Sequence, residues 1–201
     1  MERDSGVNDD VILALFSEWM EKAQYSEPSD PNAAILSTVD GNGFPNARVV
    51  LIKQFDKDGF VFYTNSKSCK GQELTENPKA AICFHWKSLC RQVRLRGLVE
   101  KCSDSKSDHY YNSRPRGSQI GAWASKQSEK MESIDLLKES MEKYSTLYES
   151  QVVPRPAWWC GFRIRPFSVE FWHERPYRLH ERIIFVRRNN TETWERSMLY
   201  P

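Results

Sequence analysis

The apolar positions near the start of the chain repeat with the period of an α-helix. Six apolar side chains share one predicted helical face: Val11, Ile12, Leu15, Phe16, Trp19 and Met20. Asn8, Asp9 and Asp10 stand just before this run, and all three are residue types that cap helix N-termini. The pattern predicts an N-terminal helix that packs its apolar face on the rest of the protein.

Most later apolar segments are short and bounded by turn residues, which is typical of β-strands. Strands are predicted over 34–39, 44–53, 60–64, 80–86, 91–96, 98–101, 159–164, 169–172 and 183–187. Two β-hairpin connections are predicted at Asp40-Gly41-Asn42-Gly43 and Lys57-Asp58-Gly59. Further helices are predicted over 70–76, 105–112 and 134–148. Antiparallel strands with a few peripheral helices favour a mainly β barrel.

Length and composition narrow the class of protein. A chain of 201 residues fits one domain, divided here into an N-terminal helix and leader (1–29) and a barrel (30–201). The net charge of +2 gives no bias towards nucleic acid, and no apolar run is long enough to span a membrane. Five cysteines without a C-x-x-C pair predict reduced thiols in a cytoplasm, so the sequon at 189–191 is expected to be unused.

Candidate site chemistry is densest between Glu170 and Arg182. If this segment is extended from Tyr177 onward, Arg178, His180 and Arg182 share one face, which would suit an anionic or oxygen-bearing ligand. A solvated edge strand is the alternative. The two His-Glu-Arg triplets of the segment do not have the H-E-x-x-H spacing of a zinc site, so no metal is predicted.

Three other segments carry polar clusters. The run 113–122, followed by 125–128, is interpreted as a loop that presents hydrogen-bond donors. The run 46–53 is interpreted as a buried strand with a cation at each end. The run 63–71 is interpreted as strand, turn and helix start, which places Lys70 near a helix N-terminus that favours an anion.

Eight short motifs follow one another in order from about residue 30 to the end of the chain. They are Arg48 to Lys53, Phe62-Tyr63-Thr64-Asn65, Arg91-Gln92-Val93, Ser113-Arg114-Pro115, Ser118-Gln119-Ile120-Gly121-Ala122, Gln127-Ser128, Glu170-Phe171-Trp172 and Arg178-Leu179-His180. Together they resemble the pyridoxine/pyridoxamine 5'-phosphate oxidase family. The resemblance implies an FMN-binding split β-barrel of the Greek-key antiparallel type, found in the family as a homodimer with two FMN sites between the subunits.

The resemblance also implies a set of cofactor residues. FMN contacts are expected from Arg48, Val49, Val50, Leu51, Tyr63, Thr64, Lys70, Gln92, Gln127, Ser128, Trp172 and Arg182. Within this set, Arg48, Lys70 and Ser128 are expected to hold the FMN phosphate. Gln92 is expected to reach the flavin of the partner subunit. Without the resemblance, the polar face of the strand around Gln92 would fit a solvated sheet face equally well.

The substrate implied by the resemblance is a phosphorylated pyridine. The expected contacts come from Lys53, Tyr110, Arg114, Ser118, Arg178, Leu179 and His180. Arg178 and His180 are the expected catalytic residues, which orient the carbon that loses a hydride to the flavin. The implied reaction oxidises pyridoxine or pyridoxamine 5'-phosphate to pyridoxal 5'-phosphate. Dioxygen reoxidises the flavin, and hydrogen peroxide and, from the amine, ammonia are released.

Some positions depart from the family pattern. Cys69 stands where the family usually has an arginine, so FMN affinity is expected to be lower or another donor to compensate. The C-terminal sequence only partly matches, and the longer N-terminal segment that covers the substrate in relatives is not expected. Two alternative functions stay open: a related split-barrel reductase that uses another flavin or a deazaflavin, and a non-catalytic carrier of pyridoxal 5'-phosphate.

Overall fold

The computed structural model describes residues 7–188 and 193–201; the sequon at 189–191 and the first six residues of the expected leader lie outside these ranges. The helices are α1 (Asp9–Ser26), α2 (Cys69–Glu76), α3 (Asp104–Asn112), α4 (Arg116–Ala124) and α5 (Ile134–Leu147). The strands are β1 (Ala33–Val39), β2 (Pro45–Leu51), β3 (Gln54–Asp56), β4 (Gly59–Asn65), β5 (Lys79–Trp86), β6 (Arg91–Lys101), β7 (Trp159–His173), β8 (Glu181–Val186) and β9 (Glu195–Met198). Within the described ranges, no helix is both long and apolar enough to cross a membrane.

All of these strands belong to one antiparallel sheet. Seven follow the order β2-β1-β5-β6-β7-β4-β3, β8 also pairs with β7, and β9 pairs with β8. β7 is the longest strand and divides the sheet: β4 pairs with its first half and β8 with its second half, while β6 pairs along its length. The register of β6 on β7 shifts between Arg96 and Gly97. At this bulge a Cβ on Gly97 would lie 2.1 Å from the carbonyl oxygen of Arg165, so glycine allows the close backbone approach.

Helix α1 supplies one side of the hydrophobic core. Asn8 caps it by accepting a hydrogen bond from the backbone N–H of Val11 at 3.2 Å. Phe16 is fully buried, and its ring centroid lies 4.8 Å from that of Phe55 and 4.9 Å from that of Phe60 in edge-to-face geometry. The predicted packing of α1 on the sheet is therefore confirmed.

The mainly β prediction, both hairpins and most element positions are confirmed. The two strands predicted over 91–101 form one continuous strand, β6, and those predicted over 159–172 lie within β7. The short strands β3 and β9 were not predicted. The prediction of a buried strand over 46–53 was wrong, because β2 is an edge strand whose Val49 is 65 % exposed in the single chain.

Candidate active site

A cavity of about 500 Å³ opens between β2, β4 and the connection from α3 to α4. Many of the predicted cofactor and substrate residues line it: Val49, Val50, Leu51, Lys53, Tyr63, Thr64, Lys70, Tyr110, Arg114, Ser118 and Gln127. Ser113, Pro115 and Trp159 complete the lining. Residues separated by more than a hundred positions thus face a single space, since β2 and β4 meet the two helices there.

The connection from α3 to α4 is fixed by reciprocal hydrogen bonds. The Tyr111 hydroxyl donates to the carbonyl of Gln119 at 2.9 Å, and the Gln119 side chain donates to the carbonyl of Tyr111 at 3.1 Å. These bonds hold Arg114 in a tight turn between the helices. The prediction of a donor loop over 113–122 was wrong, since residues from Arg116 onward form α4; the local Gly and Pro content hid its helical pattern.

Arg114 lines the cavity and has an N–H donor without a hydrogen-bond partner among the described residues. Its guanidinium lies 4.8 Å above the ring centroid of Trp159, and its Nη1 atom is buried without a hydrogen-bond partner in the described residues. The Tyr63 hydroxyl is likewise buried without a partner, and burial raises the pKa of this phenol to about 12. Both groups can therefore donate to a ligand oxygen in the cavity. Gly161 leaves room for the Tyr63 ring, since a Cβ there would lie 2.8 Å from Cε1.

Lys70 makes the other side of the cavity cationic, whereas Arg48 does not line the cavity but lies close enough for its charge to act on Lys70. Lys70, the second residue of α2, is buried, and within the described ranges its ammonium donates a hydrogen bond only to the Ser68 hydroxyl, at 3.4 Å. Burial, together with the charge of Arg48, lowers the pKa of Lys70. A buried cation at a helix N-terminus is a favourable place for a phosphate.

Arg48 forms an ion pair with the buried carboxylate of Glu73. Its Nη2 lies 3.2 Å from Glu73 Oε2, and its Nη1 donates to the Thr38 hydroxyl, which in turn donates to Glu73. Burial alone would raise the pKa of Glu73, but hydrogen bonds from Thr38 and Asn46 and the charge of Arg48 bring it to about 2. Glu73 is therefore ionised at neutral pH and fixes the position of Arg48.

Cys69 takes part in this same cluster. Its thiol donates to Glu73 Oε1 at 3.1 Å, and mainly this hydrogen bond to the carboxylate raises the pKa of the thiol. An arginine at position 69 would consequently face Glu73 as well as a bound phosphate.

A second group of predicted residues lies at the far end of β7. Gln92, Trp172 and Arg182 stand directly opposite one another across β6, β7 and β8. The buried carboxylate of Glu170, two residues before Trp172 on β7, accepts a hydrogen bond from Arg182 Nε at 2.8 Å and another from Arg94. These bonds lower the pKa of Glu170, although burial alone would raise it, so an ionised carboxylate holds both arginines.

The segment from Tyr177 to Arg182 is not extended throughout, so the shared face expected for Arg178, His180 and Arg182 does not form. Pro176 to Arg178 form a 3-10 turn in which Tyr177 and Arg178 have φ of 57° and 63°, and β8 begins only at Glu181. Such left-handed backbone is strained for residues other than glycine. The turn is closed by the backbone N–H of Arg175, which donates to His180 Nδ1 at 3.2 Å.

The turn places His180 beside Trp172 of the second group. Arg178, His180 and Arg182 do not lie on one strand face. The His180 ring centroid lies 4.7 Å from that of Trp172, whereas Arg178 and Leu179 point into the open and are exposed. Ser128 is also set apart, because it lines a neighbouring cavity between α4 and α5 and not the one that holds Lys70.

Comparison with known proteins identifies the family. A family model described as pyridoxamine 5'-phosphate oxidase matches residues 20–148, and one described as the pyridoxine 5'-phosphate oxidase C-terminal dimerisation region matches residues 159–201. The chain belongs to the pyridoxamine 5'-phosphate oxidase family. The first match ends one residue after α5 and the second begins with β7, so the two groups of predicted site residues draw on both matched regions.

Curated relatives agree with this membership of the pyridoxamine 5'-phosphate oxidase family. Proteins named pyridoxine/pyridoxamine 5'-phosphate oxidase from Brucella canis and Brucella suis are 58% identical over 187 residues, which cover 93% of this chain and 92% of theirs. Among solved structures, PhzG from Burkholderia lata, in complex with tetrahydrophenazine-1-carboxylic acid, has a TM-score of 0.89 at 27% identity, covering 98% of this chain and 95% of that chain.

A more distant likeness supports the fold alone. A pyridoxamine 5'-phosphate oxidase-related, FMN binding protein from Nostoc punctiforme has a TM-score of 0.75 at 16% identity, covering 94% of this chain and 96% of that one. The split-barrel architecture expected from the sequence is confirmed.

Three residues near the site had no predicted role: Glu73, Trp159 and Glu170. Glu73 follows Lys70 by three positions on α2, a spacing that places both side chains on one helix face. Glu170 is the only carboxylate in β7 and stands between the buried apolar residues Val169 and Phe171, which is a sign that it has a partner. Trp159 carried no local signal, since aromatic residues are common at the start of a buried strand.

Proposed function

We propose that this protein is an FMN-dependent oxidase that converts pyridoxamine 5'-phosphate or pyridoxine 5'-phosphate to pyridoxal 5'-phosphate, with dioxygen as acceptor. The 58% identity to the named relatives over most of both chains supports it. The observation that carries the substrate assignment is the cavity in which Arg114 keeps a buried, unpaired Nη1. A cytoplasmic location is part of the proposal, since all five cysteines, which lie in the described ranges, are free.

The residues present suit FMN. The buried ammonium of Lys70 and the guanidinium of Arg48 form a cationic patch for the FMN phosphate, and Thr64 and Gln127 line the same cavity. Trp172, Arg182 and Gln92 would lie against the ring, where a cation near the polar edge stabilises negative charge. When bound, FMN supplies the two-electron acceptor that amino-acid side chains lack.

The remaining predicted residues would bind and orient the substrate. Arg114 offers two parallel N–H groups to its phosphate, and Lys53 adds a point charge. Tyr110 and Ser118 offer neutral hydroxyl donors from the same cavity wall. Arg178 and His180 would fix the pyridine ring so that its oxidisable carbon faces the flavin; no nucleophile is required for this chemistry.

An oxygen-uptake assay tests the proposal. Purified protein with added FMN, or in a parallel sample with an added deazaflavin, is supplied with each of the two phosphorylated substrates. Oxygen consumption and pyridoxal 5'-phosphate formation are followed together. Stoichiometric formation of product supports the oxidase. Binding of pyridoxal 5'-phosphate without oxygen uptake would instead favour a carrier, and turnover only with a deazaflavin would favour a reductase.

The protein is expected to be a homodimer. On β7, Gly161, which pairs with Tyr63 of the cavity, and Trp172 are 11 residues apart, about 36 Å along the strand at ~3.3 Å per residue, so the cavity and the row containing Trp172 lie at opposite ends of this strand. A second copy would let one chain provide the phosphate cavity and the other provide Gln92 and Trp172 to the same flavin. The matched C-terminal dimerisation region supports this arrangement.

FMN should consequently stabilise the dimer by mass action. Light scattering of dilute protein with and without FMN measures this: we expect dissociation at a higher protein dilution when FMN is present. A monomer that carries a full complement of FMN would contradict the shared site.

The Cys69→Arg variant is expected to bind FMN more tightly. The added cation would share Glu73 with Arg48 and raise the positive potential around the phosphate. Because position 69 is exposed, we expect the Kd for FMN to fall by at most about tenfold. Titration of the two apoproteins with FMN measures the difference. Cys69→Ser, which keeps a donor to Glu73 but adds no charge, is the matched control and should bind like the parent. Equal or weaker binding by the arginine variant would mean that position 69 does not reach the phosphate.

A further inference from the structure

Trp159 occupies a rigidly held position at the edge of the cavity. It is the first residue of β7 and is 6% exposed. Its carbonyl accepts a hydrogen bond from Arg155 Nη1 at 2.7 Å, and the same guanidinium is paired with Asp104 and Asp108 of α3. The backbone of Trp159 is thereby fixed relative to α3, the helix that carries Tyr110.

The indole ring lies in a set of nearly parallel aromatic rings. Its plane is within 8° of those of Tyr63 and Tyr110, with centroid distances of 5.3 Å and 6.1 Å. The guanidinium of Arg114 lies over this ring at 4.8 Å. Tryptophan is the aromatic side chain that attracts a cation most strongly, and the attraction increases when water is excluded.

Arg114 differs from Arg48 and Arg182 in how its guanidinium is held. Arg48 and Arg182 are each paired with a buried carboxylate, whereas none of the ion pairs found among the described residues involves Arg114. An aromatic face orients a guanidinium without occupying its N–H donors or neutralising its charge. The unpaired Nη1 atom of Arg114 is consistent with such an arrangement.

We propose that Trp159 is a positioning residue that holds Arg114 ready for the phosphate of the substrate. The proposal rests on the proposed function, since it takes that phosphate as the ligand of Arg114. A carboxylate in the place of the indole would fix Arg114 equally well, but it would compete with the phosphate dianion for the same donors. The stacked indole avoids this competition.

The test compares a ligand with and without its phosphate. In 4-deoxypyridoxine 5'-phosphate and 4-deoxypyridoxine the reacting carbon is a methyl group without a hydroxyl or amino substituent, so neither is turned over by the route proposed here. Their dissociation constants for the FMN-loaded protein are measured by calorimetry. The dissociation constant of the ligand without phosphate, divided by that of the phosphorylated ligand, reports the phosphate contribution to binding. A general loosening of the cavity would weaken the binding of both ligands and leave this ratio unchanged.

Trp159→Leu is expected to reduce this ratio about 3- to 30-fold, the range that corresponds to the loss of a cation–π contact. Trp159→Phe should give an intermediate value. Trp158→Leu is the matched control: its side chain neighbours Lys67 and Trp123, outside the cavity described above, and the ratio should stay within about twofold of the parent. An unchanged ratio in Trp159→Leu would overturn the proposal.

A double-mutant cycle identifies Arg114 as the mediator. In an Arg114→Ala background, replacing Trp159 by phenylalanine should leave the ratio as it is, because the cation that the ring holds is gone. If circular dichroism and FMN content show that the leucine variant does not fold, the effect of Trp159→Phe with and without Arg114→Ala still tests the proposal. A further reduction of the ratio in that background would contradict the proposal. Failure of the proposed function would look different, since the parent protein itself would show no preference for the phosphorylated ligand.

Discussion

Replacing Arg178 or His180 by alanine is expected to lower kcat about a hundredfold while FMN content stays at the level of the parent protein. The His180 ring is packed against Trp172, in the row expected to meet the flavin, and Arg178 lies in the strained, exposed turn just before His180. Losing either should let the reacting carbon drift from its aligned position. Steady-state kinetics with pyridoxamine 5'-phosphate and flavin absorbance measure the two effects separately.

Arg114→Ala provides the contrast. Its contact with the phosphate would be present both before and during the reaction, so its loss should mainly raise KM. Tyr177→Asn is the control within the turn: Tyr177 is 94% exposed, and asparagine tolerates its left-handed backbone. If Arg178→Ala and His180→Ala kept a normal kcat but lost flavin, the two residues would belong to the cofactor and not to the substrate.

Arg187→Ala is expected to destabilise the protein by about 3 kcal/mol, because it removes a large buried side chain and leaves a buried carbonyl without its donor. The Arg187 side chain is 4% exposed, and its Nη1 lies 3.0 Å from Asp9 Oδ1. Its Nε donates to the carbonyl of Pro166 at 3.1 Å, and its guanidinium lies 4.2 Å over the ring of Trp194. Its loss would leave a cavity and a buried carbonyl without a donor at the point where α1, β7 and the start of β9 meet.

Thermal unfolding at fixed protein and FMN concentrations measures this effect, and a loss of about 6–12 °C in Tm is expected for a chain of this size. Arg196→Ala is the matched control, because Arg196 is an exposed arginine on the neighbouring strand β9. The kcat of the folded Arg187→Ala enzyme should be unchanged. A Tm equal to that of the control variant would show that the buried cluster contributes nothing to stability.

The sequence by itself determined the local structure of this protein. Helix α1, its cap at Asn8 and the two hairpins were predicted because helical periodicity, capping side chains and turn residues act over a few neighbouring positions. The family motifs also determined which side chains to look for. Where local signals conflicted, as in the Gly-containing α4 and the turn at Pro176, the predictions were wrong.

The tertiary structure alone decided which charges meet. Arg48 and Glu73 are 25 positions apart, and Arg94 and Glu170 are 76 positions apart, so only the register of the sheet and the docking of α2 bring each pair together. The same holds for the indole of Trp159, which becomes a partner of Arg114 because β7 passes beside α3. Contacts of this kind depend on the global packing of the chain, and no local pattern of residue types encodes them.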